Sequence, residues 1–472
     1  MSPLAPWYWR SLPLQNRTAS QLFAALFQGD DIAVLLESPP GIPQTHARYS
    51  LCAGSPRPGQ SWTPSLGNVL PTLRQRLTTP SPDATPSHLQ HLPFLGGWLG
   101  WFGYELAWEI ETLPPLAKDP IPFPVAFWYE PAAFALLDHQ ADQLHLAASG
   151  GDRLDQLEQR LENFNEDGIK DHQKDQKNYP NRVYIPDSPI SPTGMPAHIT
   201  LSAGWQPDDY QKAVQQILGY IQAGDIFQGN LSVRFEHHGP VNPWQLYQTL
   251  QRINPSPFAS YWQTPWGYIV SCSPERLVQV QGDTIQTRPI AGTRPRGRSP
   301  AEDQALAATL QANPKERAEH IMLVDLERND LGRVCTWGTV TVDELLTLEY
   351  YSHVIHLVSN VRGQRAGQWD GIDVIGAVFP GGTITGCPKV RCMEILAGLE
   401  PFPRNLFYGS CGYLDQRGYL DLNILIRTLL VRGDRQLTWG QVGAGIVADS
   451  DPQREWQESL DKAQALFQAI PV

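Results

Sequence analysis

"QLTWGQVGAGIVADSDPQREWQESLDKAQALF", residues 436–467, decides the fold class. Its first part, up to Asp449, reads as a strand. "DSDPQREW" then has the grammar of a helix start, with Asp451 as the cap and Pro452 at the first helical position. At about 100° per residue, Glu455, Glu458 and Lys462 fall within about 60° of one another, while Trp456, Leu460, Ala463 and Phe467 form a separate stripe. The helix therefore has one apolar face for a core and one ionic face. Further strands are read in "YLDLNILIRTLLVRG" (419–433), "GYIVSCSP" (267–274) and "RLVQVQGDTIQTRPI" (276–290), the last a hairpin around Gly282 and Asp283. "DDYQKAVQQILGYIQAGD" (208–225) reads as a helix, with Tyr210, Val214, Ile217 and Ile221 at helical spacing and Gly224 closing it. This mixture predicts an α+β fold, two lobes packed over large, mostly antiparallel sheets with surrounding helices.

Upstream, "DIAVLLES" (31–38), "AFALLDH" (133–139) and "QLHLAAS" (143–149) are strand-like, and "GGWLGWFGYELAWEIE" (96–111) is a glycine-aromatic stretch. Residues 150–200 shift to charge and then to proline, a short amphipathic helix followed by an exposed connection. The expected organisation is an N-terminal lobe (1–165), a linker (166–200) and a C-terminal body (201–472) that carries the chemistry.

Composition narrows the function. The 472 residues carry a net charge of −12, which argues against general nucleic-acid binding because neutralising phosphates needs excess Lys and Arg. A small anionic substrate needs only a local positive pocket. No stretch approaches the roughly 20 apolar residues of a membrane helix, and "MSPLAPWYWRSLPLQ" does not read as a signal peptide. The cysteines at 52, 272, 335, 387, 392 and 411 are scattered and read as reduced thiols of a cytoplasmic protein.

A second helix, "KERAEHIMLVDLERND" (315–330), begins after Asn313 and Pro314 and can end at Gly332. It repeats the Glu-x-x-Glu spacing with Glu316 and Glu319. Each pair alone reads as a solvated helix face with Lys partners. Were the two helices to meet, four carboxylates would repel and raise one another's pKa unless a cation sat among them. Mg²⁺ suits such a site, being hard, oxygen-seeking and able to bridge to an anion.

The chain is similar to the large subunits of chorismate-aminating enzymes, anthranilate synthase component I and aminodeoxychorismate synthase component I. The motifs are "GDIFQGNLSVRF" (224–235), "SPERLV" (273–278), "TRPIAGTRPRG" (287–297), "ERAEHIMLVDLERNDLGRV" (316–334), "YSHVIHLVSNV" (351–361), "FPGGTITGCPKVRCMEI" (379–395), "IRTL" (426–429) and "GAGIVADSDP" (443–452). The resemblance implies that the two helices converge and that Glu316, Glu319, Glu455 and Glu458 hold Mg²⁺ against the ring carboxylate of chorismate. It also implies roles that make independent physical sense. Arg427 can clamp a carboxylate through two parallel N–H bonds. Lys462 offers a point charge near the metal. Gly443, Ala444 and Gly445 bring backbone N–H groups close to an anion. Thr293 and Thr383 are short donors in glycine-containing turns. His356, as an imidazolium, can make water the leaving group when the ring hydroxyl departs.

Within the family, residue 291 separates two chemistries. Aminodeoxychorismate synthases usually carry a Lys there, whose amine attacks C2. Ala291 has no nucleophile and leaves room for ammonia to attack C2 directly, the anthranilate route. "FQGNLSVRF", "PFASY" (257–261), "RNLFYGSCGY" (404–413) and "DLNILIRT" (421–428) look more like the sister enzyme, and Phe407 replaces the Tyr usual in anthranilate synthases. The expected product is anthranilate plus pyruvate. The alternatives are a lysine-less aminodeoxychorismate synthase, then an isochorismate or salicylate synthase, and lastly a non-enzymatic chorismate-binding module, which the complete set of metal and anion residues disfavours. No glutaminase signature is present, so ammonia is expected from a separate glutamine amidotransferase subunit. Ser38 in "LLES" matches a feedback site for tryptophan, but Phe258 and Ala259 replace its Tyr-Met pair, so weak or absent tryptophan inhibition is expected.

Overall fold

The structure is a computed structural model that describes residues 6–38, 48–77, 86–178, 195–202, 205–297, 299–351 and 354–471. Residues 179–194 of the expected linker, and Ser352 and His353 of the "YSHVIH" motif, lie outside the described residues.

Two large sheets form the molecule, and every strand pairing in them is antiparallel. The first runs, edge to edge, Tyr8–Pro13, Gln143–Ala148, Ala133–Asp138, Tyr49–Ala53, Ala33–Glu37, Phe258–Thr264, Gly267–Ser273, Thr428–Arg432, Leu437–Ile446, Gln228–His238 and Gly386–Cys387. The second runs Ile290–Pro295, Val354–Gln364, Thr284–Thr287, Arg276–Gln281, Leu420–Asn423, Ser410–Asp415, Gly97–Phe102, Ala126–Pro131 and Pro56–Trp62. Each sheet mixes strands from the first 150 residues with strands from beyond residue 200. The expected lobes are therefore sewn together through shared sheets. The linker is also partly regular, because the helix that starts at Gly151 continues to Asn178.

The tryptophans acquire a role here. Trp101 of the second sheet meets Trp262 of the first edge to face, with centroids 5.6 Å apart, and both are fully buried. Phe127, Tyr129, Phe94 and Phe134 extend this aromatic seam between the sheets. All six cysteines are unpaired, and among the described residues no helix is long and apolar enough to cross a membrane.

The run 419–433 was read as strand throughout. It is instead two strands, Leu420–Asn423 in the second sheet and Thr428–Arg432 in the first. The chain changes sheets between them, and Arg427 takes a left-handed backbone, φ 50°, at the crossing. A side chain with a Cβ costs on the order of 1–2 kcal/mol there, so the surrounding sheets hold Arg427 in place.

Both carboxylate helices form with the expected caps. Asn313 Oδ1 accepts from the backbone N–H of Lys315 and Glu316 at the start of Pro314–Gly332. Asp451 Oδ1 accepts from Gln453 and Arg454 at the start of Pro452–Ala469. Trp456, Leu460, Ala463 and Phe467 are buried against the first sheet and the helix Pro207–Gln222. The helix Pro314–Gly332 packs on Ile290–Pro295 and Val354–Gln364 of the second sheet.

Candidate active site

One helix follows the helix Pro300–Ala312 and the other follows strand Leu437–Ile446, and their first turns lie close to one another. Lys315 bridges them, 3.9 Å from Glu319 on its own helix and 3.1 Å from Asp449 in the turn before the other. The Glu319 carboxyl is pushed up to about 7 by burial and by the negative charges of Glu316, Asp449 and Glu458. Glu455 is raised for the same reasons, burial first and Glu458 after it, and its Oε2 is buried with no hydrogen-bond partner.

From these carboxylates the remaining residues can be followed round a closed ring. Lys462 bonds Glu458 at 2.8 Å and the Gly443 carbonyl at 3.1 Å. Gly443 lies where strand Leu437–Ile446 pairs with Gln228–His238, opposite Ser232. A Cβ on Gly443 would come within 2.8 Å of Asn230 Oδ1 and of the Tyr408 hydroxyl, so only glycine fits. Ala444 is fully buried, and a Cβ on Gly445 would strike Gln228 Nε2 at 2.5 Å. Asn230 donates to the Thr383 carbonyl at 3.4 Å, the Thr383 hydroxyl, buried without a hydrogen-bond partner among the described residues, lies near Glu275, and Glu275 feels the charge of Arg427. The Arg427 charge is felt at His356. His356 Nδ1 and Thr293 Oγ1 share a hydrogen bond of 2.9 Å. Gly292 (φ 76°) closes the ring: a Cβ there would sit 2.6 Å from Glu316 Oε2.

Pairwise contacts and felt charges thus link Glu316, Glu319, Glu455, Glu458, Lys462, Gly443, Ala444, Gly445, Thr383, Arg427, His356 and Thr293 as successive neighbours, with Ala291 next to Gly292. Arg427 has no carboxylate within ion-pair distance among the described residues; its hydrogen bond goes to Asn254 Oδ1 at 2.9 Å. A buried cation without a close counter-ion is a ready carboxylate clamp.

Two readings change. Burial and the neighbouring Arg427 guanidinium drive His356 down to about 3, so the imidazole is neutral at physiological pH and is not the expected imidazolium. Phe407 stacks on Tyr408 with centroids 3.8 Å apart and stays in the wall behind the ring. The phenol that reaches Asn230, at 2.7 Å, belongs to Tyr408. Among the described residues, no three His, Cys, Asp or Glu side chains stand close enough together to hold a metal ion without moving. The carboxylates are instead held apart by cations: Arg294 on Glu316 at 3.1 Å, Lys315 on Glu319 and Lys462 on Glu458.

Sequence reasoning missed Glu275. Burial raises it to about 7, and it accepts from the Ile290 backbone, one residue before Ala291. The Pro274-Glu275-Arg276 motif was visible, but only the fold turns its carboxyl inward. Asn230, Tyr408 and Gln228 were missed because strand pairing, not spacing, brings them to the glycines.

A separate cavity of about 600 Å³ lies between the sheets. Ser38, Pro257, Phe258 and Ala259 all line it, and Ser38 Oγ donates to the Pro257 carbonyl at 3.3 Å, so the two segments read as a tryptophan site do meet.

Known proteins resemble the chain over most of its length. The sequence pattern of chorismate binding enzymes matches residues 46–468. The chain is 54% identical over 473 aligned residues to an anthranilate synthase component I-like protein of Synechocystis sp., covering 99% of this chain and 92% of that one. It is 38% identical to aminodeoxychorismate synthase component 1 of Bacillus subtilis, covering 98% and 96%. The crystal structure of anthranilate synthase component I from Streptococcus pneumoniae superposes with a TM-score of 0.73 at 30% identity, covering 92% and 93%. The chain belongs to the chorismate-binding enzyme family.

Proposed function

We propose that this chain is the large subunit of a Mg²⁺-dependent chorismate-aminating enzyme, working in the cytoplasm, that converts chorismate and ammonia to anthranilate and pyruvate. A separate glutamine amidotransferase subunit supplies the ammonia. The observation that carries the amination route is Ala291: a methyl group, half-buried, stands beside the Thr293–His356 pair and Glu275, where the alternative chemistry needs an amine.

The residues fit a divalent cation shared with an anionic substrate. Glu455 has an orphaned oxygen, and burial together with the acids around it holds the Glu319 proton to about neutrality despite Lys315 at 3.9 Å. Glu316, Glu319, Glu455 and Glu458 would hold the ion, directly or through water. When bound, Mg²⁺ neutralises the substrate's ring carboxylate and polarises the ring. The chain's own residues do the rest. Arg427 and the N–H groups of Gly443–Gly445 anchor the second carboxylate, while Lys462 adds a positive charge beside Glu458. Ammonia reaches C2 over the small Ala291 side. Glu275, protonated near neutrality, gives its proton to the departing C4 hydroxyl, which leaves as water. Neutral His356, fixed by Thr293, positions that oxygen by hydrogen bonding. Loss of the C2 proton and cleavage of the C3–O bond, with a proton taken up by the enolpyruvyl methylene, then release pyruvate and make the ring aromatic.

The alternative is aminodeoxychorismate synthase, favoured by the 38% identity across nearly all of the Bacillus subtilis protein. Incubating the pure chain with chorismate, Mg²⁺ and an ammonium salt, followed by mass and fluorescence detection, separates the two. Anthranilate and pyruvate in equal amounts are expected. An aminated product that retains its enolpyruvyl group would select the alternative, and no amination would overturn both.

A further inference from the structure

The His356 imidazole sits in a row of residues that runs across three strands of the second sheet. On strand Val354–Gln364 it is paired with Thr293 of Ile290–Pro295 on one side and with Glu349 of Thr341–Tyr350 on the other. Residues paired in this way put their side chains on the same face of a sheet, with Cβ atoms about 4.5–5.5 Å apart. The Thr293 side of the row is a direct hydrogen bond of 2.9 Å to His356 Nδ1. The reaction just described makes no use of the Glu349 side, although Glu349 is buried next to the imidazole.

Both oxygens of Glu349 are engaged. Oε1 accepts from Arg288, from Nε at 3.0 Å and from Nη2 at 2.5 Å. Oε2 accepts from the Tyr351 hydroxyl at 2.6 Å. The buried Tyr351 ring meets the His356 ring edge to face, with centroids 5.5 Å apart and planes at 65°, a favourable aromatic geometry. The Tyr351 backbone is pinned as well. Its N–H donates to the Val354 carbonyl at 2.9 Å, and its carbonyl accepts from Arg296 Nη1 at 2.5 Å. The second side-chain torsion of a histidine is soft, so one hydrogen bond at Nδ1 leaves the tilt of the ring open. A fixed aromatic ring packed against the imidazole closes that freedom, and the Glu349 carboxylate fixes the aromatic ring.

We propose that Glu349 is a positioning residue for the amination reaction, acting through the Tyr351 ring to hold the His356 imidazole at the angle from which it meets the departing C4 oxygen. The inference rests on the reading of His356 as the group that positions that oxygen. A carboxylate suits the place because it offers one oxygen to the Arg288 fork and the other to a phenol. Arg288 keeps a second acceptor, Glu344 Oε2 at 2.6 Å from its Nη2, so removing the Glu349 carboxylate does not strand the guanidinium.

The test compares Glu349→Ala, Tyr351→Phe and the double variant, assayed with chorismate, Mg²⁺ and ammonium. Tyr351→Phe keeps the ring and removes only the bond to Glu349, and it carries the test alone if Glu349→Ala does not fold. Each single change should lower kcat about tenfold and leave KM for chorismate unchanged, the mark of a misplaced reacting group. The double variant should be no slower than Glu349→Ala, because both changes cut one path. Glu349→Gln should recover most of kcat, since its amide oxygen can accept from Arg288 and its N–H can donate to the Tyr351 oxygen. With isotope-labelled histidine rings, the NMR signal of His356, identified by its loss in His356→Asn, should move beyond its linewidth in both single variants. An unmoved signal would overturn the proposal, as would a kcat within twofold of the parent in Tyr351→Phe or strictly multiplicative losses in the double variant. If the parent aminates and His356→Asn is slowed while Tyr351→Phe is not, the positioning role alone is refuted. If the parent fails to aminate, the functional reading falls and the positioning role with it.

Discussion

At the scale of single residues, the charge states decide which group moves the proton. His356 is neutral because it is buried beside Arg427; Glu275 holds its proton because it is buried with few opposing charges. Activity should therefore fall as pH rises through about 7, the folded value of Glu275. Glu275→Gln should remove that limb along with most of kcat, whereas His356→Asn should lower kcat and leave the limb in place; pH–rate profiles of kcat for both variants check this. Arg427→Lys keeps the charge but loses the planar fork, so KM for chorismate should rise about tenfold or more. Of these residues, Arg427 and His356 were legible in the sequence as chemistry-bearing types in informative motifs. Their protonation was not, because burial and neighbouring charge are products of the fold. Ser38 and Phe258 show the converse. The fold brings them to one cavity, and the missing Tyr-Met pair predicts that micromolar tryptophan leaves the amination rate unchanged.

At the scale of elements, two helix N-termini carry the acidic cluster, and their caps fix where it points. The Asp-Pro and Asn-Pro starts were readable because capping is local chemistry, and the apolar stripe of Pro452–Ala469 was readable because burial on one face follows helical period. Asp451→Ala should cost about 1 kcal/mol of stability, and by fraying the first turn it should weaken Mg²⁺ activation more than it lowers the melting temperature. Trp456→Ala empties a buried site and should cost about 3–5 kcal/mol; denaturant unfolding measures both. The run 419–433 was misread because a strand that ends one sheet and a strand that begins another look alike in sequence. Only the left-handed backbone at Arg427 separates them, and nothing in an arginine announces it.

At the scale of the molecule, the α+β class and the mostly antiparallel character followed from the sequence, whereas the sharing of both sheets between the two ends of the chain did not. Sheet order is set by long-range pairing, which no local pattern encodes. The same packing buries many acids. Glu105 and Glu275 are raised to about 7 and Glu327 to about 8. A carboxyl whose folded pKa lies above its unfolded value binds more protons when folded, so stability is lost as pH rises toward and through the folded value. His320 and His356, lowered to about 4 and about 3, act in the opposite sense only below the ordinary histidine value. Stability should therefore fall between pH 6.5 and 8, by on the order of 1 kcal/mol per acid, seen as a falling melting temperature, and Glu105→Gln should flatten that fall.

The central claim is that acids from two distant helices hold one divalent cation against the substrate. Its most direct test is the Mg²⁺ activation constant of chorismate amination in Glu319→Gln, Glu458→Gln and the double variant. A shared ion predicts that each single change raises the constant at least tenfold and that the double change raises it by much less than the product of the two. Constants unchanged in either single variant, or strictly multiplicative in the double, would contradict it.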